Sequence, residues 1–290
     1  MGKTMSDKTR KIVVLYSGGL DSFALLFVAK QQNPEAEIIC VYWDHEHGAS
    51  VAERSSLPDF VEVRNCEWMS CVQGYHAIDG NPNGAIYIPG RNLVFAVLTA
   101  CQYLPDEIWL GALHEENNSS NTDKNEKFVK DTTSLLQYVL KDFSSDITVR
   151  TPLVELELTK RGVVKYLIDN NCPVSEITST MSCYQQEDPL EKTPCGSCLQ
   201  CLKRWAVFGS LGFSETCRTH PLDSKKNILW LRRHVDKLNE SNWKDKFCLN
   251  NFWWPQLKNY MKSNPEKFNS EEWSYIRESV INNLDESLML

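Results

Sequence analysis

The chain reads as an α/β protein with a doubly wound parallel sheet. Three observations carry that reading. Apolar runs rich in β-branched residues alternate with longer helix-like segments from Ile12 to Asn170, the pattern of strands and crossover helices in a parallel sheet. The first run, Ile12–Tyr16, passes through Ser17-Gly18-Gly19-Leu20-Asp21-Ser22 into the apolar segment Phe23–Lys30, which reads as strand, glycine turn and helix. The polar loops 17–22, 44–47 and 114–122 each follow an expected strand, and ligands in such folds sit beyond the carboxyl ends of strands.

In order, Ile12–Tyr16, Ile38–Trp43, Phe60–Arg64, Glu107–Leu113 and Asp146–Arg150 are expected strands. Pro89-Gly90-Arg91-Asn92 halts the chain and opens a helix over Leu93–Tyr103; Asp123–Lys141 and Thr159–Asn170 are further helices, the last capped by Thr159. From Cys217 the character changes: five of the nine tryptophans lie there, no glycine follows Gly212, and residues 225–246 hold seven Lys/Arg against three Asp/Glu. The expected organisation is a main domain over 1–216, containing a cysteine segment at 183–201, and a helical extension over 217–290.

At 290 residues there is room for one large domain or a domain with an appendage. The longest apolar runs, Ile12–Tyr16 and Leu93–Cys101, fall far short of the roughly 20 residues of a membrane helix, so no membrane association is expected. The net charge of −7 does not attract polyanions. Nucleic acid is therefore not expected as a direct substrate. The eleven cysteines follow no secretory signal, which points to a reducing cytoplasm and to free or metal-bound thiolates. The start Met1 to Ser6 matches the short Gly2/Ser6 myristoylation pattern, although one acyl chain anchors only marginally.

The hexapeptide Ser17–Ser22 has the chemistry of an anion nest. Glycines allow positive φ and close approach, and the following helix aims free N–H groups and its positive dipole end at the same point. Ser17 and Ser22 add hydroxyl donors, and Asp21 suits a Mg²⁺ that bridges phosphates. Neither a Walker lysine nor the G-x-G-x-x-G spacing is present. Cys183, Cys195, Cys198 and Cys201 are spaced C-x11-C-x2-C-x2-C. Four thiolates suit a closed, structural tetrahedral Zn²⁺ site, and an iron–sulfur cluster would use the same ligands. Core packing is the default for the seven other thiols.

The hexapeptide resembles the pyrophosphate loop of the N-type ATP pyrophosphatases, enzymes that cleave ATP between the α and β phosphates and adenylate an oxygen. Taken in order, the motifs resemble the 7-cyano-7-deazaguanine synthase family of queuosine precursor biosynthesis. They are Ser17–Ser22, the loop led by Asp44, Ile88–Asn92, Pro152-Leu153 with Leu158-Thr159-Lys160, and Ser182-Cys183-Tyr184 with the Cys195–Cys201 cluster. The resemblance implies a Rossmann-like sheet of the adenine nucleotide alpha hydrolase kind. It also implies a ligase that converts 7-carboxy-7-deazaguanine, or a related carboxylate, and ammonia into the nitrile through adenylated intermediates. ATP with Mg²⁺ is consumed, leaving AMP- or ADP-type products with pyrophosphate or phosphate. Structural Zn²⁺ and pairing as a homodimer come with the family.

By the same resemblance Asp21, Ser22, Arg91 and Lys160 are catalytic candidates. Ser17, Gly18, Gly19, Leu20, Asp44 and Asn92, with Asp21 and Ser22, face the nucleotide; Glu116 and Asp123 face the substrate. Arg91 can offset a phosphate or carboxylate. The alternative for Lys160 is a solvated helix lysine. One departure stands out: the family's tyrosine-proline-aspartate-cysteine-arginine run is replaced within residues 117–125, while Glu116, Ser119, Asp123 and Phe128 keep their places. Two other readings stay open: adenylation of a deazaguanine-type carboxylate for a different, macromolecular or defence-related acceptor, and a zinc-containing nucleic-acid-binding module supported only by residues 225–246.

Overall fold

The computed structural model describes residues 9–46, 50–67, 69, 88, 90–117, 123–144, 146–183, 193–238, 257–268, 273–274 and 276. Met1–Ser6, Pro89, Ser119, Tyr184, Cys71, Cys248, Trp243, Trp253 and Trp254, singled out in the sequence, lie outside them.

Five parallel strands, β1 (Lys11–Leu15), β2 (Glu37–Asp44), β3 (Glu62–Asn65), β4 (Glu107–Trp109) and β5 (Thr148–Arg150), form one sheet in the order β3-β2-β1-β4-β5. The order runs outward in both directions from β1, which makes the sheet doubly wound and places its switch point between β1 and β4. Side chains alternate strictly between its faces. Ile12, Val14, Cys40, Tyr42 and Trp109 pack on one side with α1 (Leu20–Gln32), α7 (Lys160–Asp169) and α9 (Leu199–Ser210). On the other, Val13, Val41 and Trp43 meet α3 (Arg91–Tyr103), while Ile108 and Val149 meet α3 and α5 (Glu126–Val139). Both faces are covered, which is why β1 and β2 read as continuous apolar runs.

Further helices are α2 (Ser50–Ser56), α4 (His114–Asn117), α6 (Pro152–Glu155), α8 (Val174–Ser179) and, after the cysteines, α10 (Lys225–Leu238). Leu222, Ile228, Trp230 and Leu231 join the α9 side of the core with Leu257, Met261, Phe268, Trp273 and Ile276. His220 stacks on Tyr260 with ring centroids 4.5 Å apart, and Trp205 meets both edge-on. The described residues beyond Cys217 thus add to the same apolar core.

Several boundaries differ from expectation by one or two residues, among them β3, which starts at Glu62 rather than Phe60, and β5, which starts at Thr148 rather than Asp146; three larger differences have a local cause. Strand β4 stops at Trp109 rather than Leu113, because after Leu110 has bonded to Arg150 O (2.9 Å) the Ala112 N–H turns back to Leu110 O. Helix α5 starts at Glu126 rather than Asp123: Asp123 is held by Asn92, and Asn125 takes the cap by accepting from Phe128 N at 2.9 Å. The loop expected over 114–122 begins as one helical turn, α4. The Thr159 cap is present, its hydroxyl accepting from Gly162 N at 3.1 Å. No helix among the described residues is long and apolar enough to cross a membrane.

Candidate active site and metal centre

The turn from β1 to α1 lies at the switch point. Gly18 has φ +76°, and a Cβ there would stand 2.1 Å from Ser56 Oγ, so the turn closes against α2 only with glycine. Gly19 caps α1 with extended backbone and no side-chain cap, which leaves the N–H groups of the first turn for an anion. Ser22 departs from the simple donor expected: its Oγ donates to Gly19 O (2.9 Å) and accepts from Ser17 N (3.2 Å), bracing the loop from within. Leu20 is buried beneath it.

Lys160 is not a solvated helix lysine. Its Nζ donates to both carboxylate oxygens of Asp21, at 2.7 and 2.8 Å, with only 16% of its side chain exposed. The first residue of α7 and the first turn of α1 therefore meet. Glu115 completes this corner: one of its carboxylate oxygens accepts from Lys160 N at 3.0 Å, the other is buried without a partner, and burial pushes the carboxyl up, with Asp21 and Glu116 adding to the rise. Burial also works against ionised Glu116, but Lys124 (2.9 Å) and the Leu113 N–H (3.0 Å) outweigh it and hold that carboxyl below its ordinary range. Lys203 on α9 feels the charges of Lys160, Glu116, Lys124 and Glu115, and burial lowers its pKa.

Arg91 opens α3 directly after Gly90, whose φ of +72° turns the chain. Asn92 donates to both the carbonyl and a carboxylate oxygen of Asp123, each at 3.1 Å, tying this turn to the loop before α5. Asp44 ends β2, nearly buried, with Arg54 on one oxygen (2.7 Å) and the Glu46 N–H on the other (3.0 Å). The structure brings Asp21 and Lys160 together, and Asn92 and Asp123; Asp44 is instead paired with α2.

The sequence reading missed Glu115, Arg54, Lys203 and Met181. Glu115 sits beside an expected residue, and Lys203 is two positions from a cysteine, but nothing marks their partners. Met181 acts through its backbone: its N–H donates to Gly18 O at 3.0 Å.

The sulfur atoms of Cys183, Cys195, Cys198 and Cys201 all lie within 4.8 Å of one another, and all four residues are buried. Cys198 and Cys201 are 3.4 Å apart and Cys195 and Cys201 3.9 Å, against about 3.8 Å for sulfurs tetrahedrally bound at the usual Zn–S length. The donor set fits a metal such as zinc. Gly196 makes the turn with φ +77°, where a Cβ would stand 1.6 Å from Thr219 O. Arg204, buried in the next helix, pairs with Glu215 and donates to Thr180 Oγ1 (2.8 Å) and Thr178 O (2.9 Å), anchoring the segment leading to Cys183. Core packing holds for Cys40, Cys66 and Cys172 but not for exposed Cys101, nor for Cys217, which lies against the cluster.

Residues 72–212 match the family model for the queuosine biosynthesis protein QueC. The chain is similar to the 7-cyano-7-deazaguanine synthase of Nautilia profundicola, 27% identical over 71% of this chain and 96% of that protein. It is likewise similar to the synthase of Campylobacter jejuni, 26% identical over 71% and 97%, and to that of Prochlorococcus marinus, 28% over 70% and 96%. What the chain is similar to, over about seven tenths of its length, is therefore the 7-cyano-7-deazaguanine synthases. The family match takes in the Arg91-Asn92 turn, the loop before α5, Lys160 and all four cluster cysteines. The alignments span nearly the whole of those relatives and leave additional length in this chain.

Proposed function

We propose that this protein is an ATP-dependent C–N ligase that makes 7-cyano-7-deazaguanine from 7-carboxy-7-deazaguanine and ammonia. The observation that carries the reading is the uncapped start of α1 beside the Asp21–Lys160 pair, at the switch point of the doubly wound sheet. The N–H groups of the Ser17–Ser22 turn are the donors for the departing pyrophosphate, where charge grows as the α-phosphoryl group moves to oxygen. Asp21 would hold Mg²⁺, which neutralises phosphate charge when bound. Lys160 then leaves Asp21 for a phosphate oxygen, keeping its compensated environment. Arg91 faces the substrate carboxylate or the phosphate, and Asn92 sets that turn against the loop of Asp123. Asp44, braced by Arg54, flanks the nucleoside side, and Glu116 the base side.

Adenylation of the carboxylate, amination, and a second adenylation of the amide oxygen turn a poor leaving group into AMP. The cysteines hold a structural Zn²⁺, since four sulfurs leave no position open for substrate. Their thiolates persist in a reducing cytoplasm.

A second reading keeps the adenylation and changes the carboxylate or its acceptor. The ion pair of Glu116 with Lys124 favours it, because a carboxylate already satisfied within the chain has less to offer a base. Pyrophosphate release measured across a panel of carboxylated deazaguanines and amines tests both. Release with 7-carboxy-7-deazaguanine and ammonium alone supports the synthase, and release only with another pair supports the second reading. Release with none overturns both.

A further inference from the structure

A fifth thiol stands at the metal centre. Cys217 lies outside the four-sulfur group, yet it stands at the group's edge, where its thiol interacts with that of Cys201. Its backbone neighbourhood fixes it there. Arg218 N donates to Pro194 O at 2.9 Å and Thr219 N to Cys195 O at 3.2 Å, so residues 217–219 run alongside the turn that carries Cys195. A Cβ at Gly196 would stand 3.0 Å from Cys217 Cβ. The four clustered cysteines are 1–7% exposed, whereas Cys217 is half-buried. Of the five thiols, Cys217 is therefore the one that solvent reaches most readily, and it sits beside the turn that carries a buried ligand.

We infer that Cys217 is a redox modification site, where a small hydroperoxide closes a Cys201–Cys217 disulfide and opens the metal centre; this rests on reading the cluster as a metal site. The peroxide oxygen passes to Cys217, giving the sulfenic acid and water or an alcohol. The Cys201 thiolate attacks that sulfur, the S–S bond forms and hydroxide leaves. Two thiols are oxidised by two electrons and one peroxide is reduced. Cys201 no longer serves as a ligand, and three sulfurs hold the metal poorly. A dithiol reductant with added metal restores the cluster.

The test uses the full-length protein as isolated, with its metal content measured first. Hydrogen peroxide is added in the presence of a chromogenic zinc chelator, and disulfides are mapped by mass spectrometry. The wild-type protein should release its metal while a Cys201–Cys217 peptide pair accumulates, and Cys217→Ser should release it roughly tenfold more slowly or less. A disulfide confined to Cys195, Cys198 and Cys183, with Cys217 still alkylatable, overturns the inference even if Cys217→Ser folds poorly, because it is read on the wild type. Equal release rates in a metal-loaded Cys217→Ser also overturn it. A protein isolated without metal overturns the metal reading itself, and the inference with it.

Discussion

The Met181 amide donates to the carbonyl of Gly18 at 3.0 Å, so the chain entering the cysteine cluster is bonded to the turn that would cradle phosphate. Cys183 lies two residues further on, and Arg204 clamps Thr178 and Thr180 just before. The metal centre and the nucleotide turn thus share one short, cross-braced segment.

Loss of the metal should therefore reach the nucleotide site. Cys198→Ser is expected to lose bound metal and to lower Tm by on the order of 10 °C, with weaker ATP binding as a consequence. Metal analysis, thermal denaturation and nucleotide titration of the same preparation check this. Metal loss at unchanged Tm would contradict a structural centre.

Gly196→Ala attacks the same centre without touching a ligand. The added methyl would meet Thr219 O at 1.6 Å in a left-handed backbone, so the variant should be destabilised by more than about 2 kcal/mol and bind metal less tightly. Denaturant titration measures it, and near-wild-type stability would mean the turn is not built as described.

Lys160→Met should lower kcat by roughly 10²–10³ while leaving Tm nearly unchanged, because the lysine pairs with Asp21 at the edge of the site rather than within the core. Steady-state kinetics with a melting curve decide the point. A variant with wild-type turnover would leave Lys160 no more than a structural partner of Asp21.

Much of this was readable from residue order. Strands β1 and β2 are legible because a sheet covered on both faces makes them largely apolar, and the Thr159 cap follows from local chemistry alone. The glycine turn, the cysteine spacing and Lys160 were likewise visible as motifs. Pairings across the sheet were not: Lys160 and Asp21 lie 139 positions apart, and nothing in the local sequence marks Arg54 as the partner of Asp44. The end of β4 is not legible because Leu110, Ala112 and Leu113 stay apolar and buried after the ladder ends at Trp109. The Met181 contact uses backbone atoms, which any residue type supplies.

The contact of His220 with Tyr260 should make the C-terminal packing sensitive to acid. Burial, with Lys267 adding to it and Asp223 opposing, holds His220 below its ordinary pKa of 6.5. The unfolded chain then takes up the proton first, so stability is full above about pH 6.5 and is lost as pH falls below it. Tm measured from pH 7.5 to 5.5 should drop more for wild type than for His220→Phe, which keeps a stacking ring. Parallel curves would exclude His220 as the source.

The most direct measurement is product formation from ATP, Mg²⁺, ammonium and 7-carboxy-7-deazaguanine, followed by pyrophosphate release and by the mass of the base. The account predicts the nitrile and nucleotide cleavage together, both abolished in a correctly folded Asp21→Ala. Robust AMP release by that variant, or ATP left intact with every carboxylated deazaguanine offered, would contradict it.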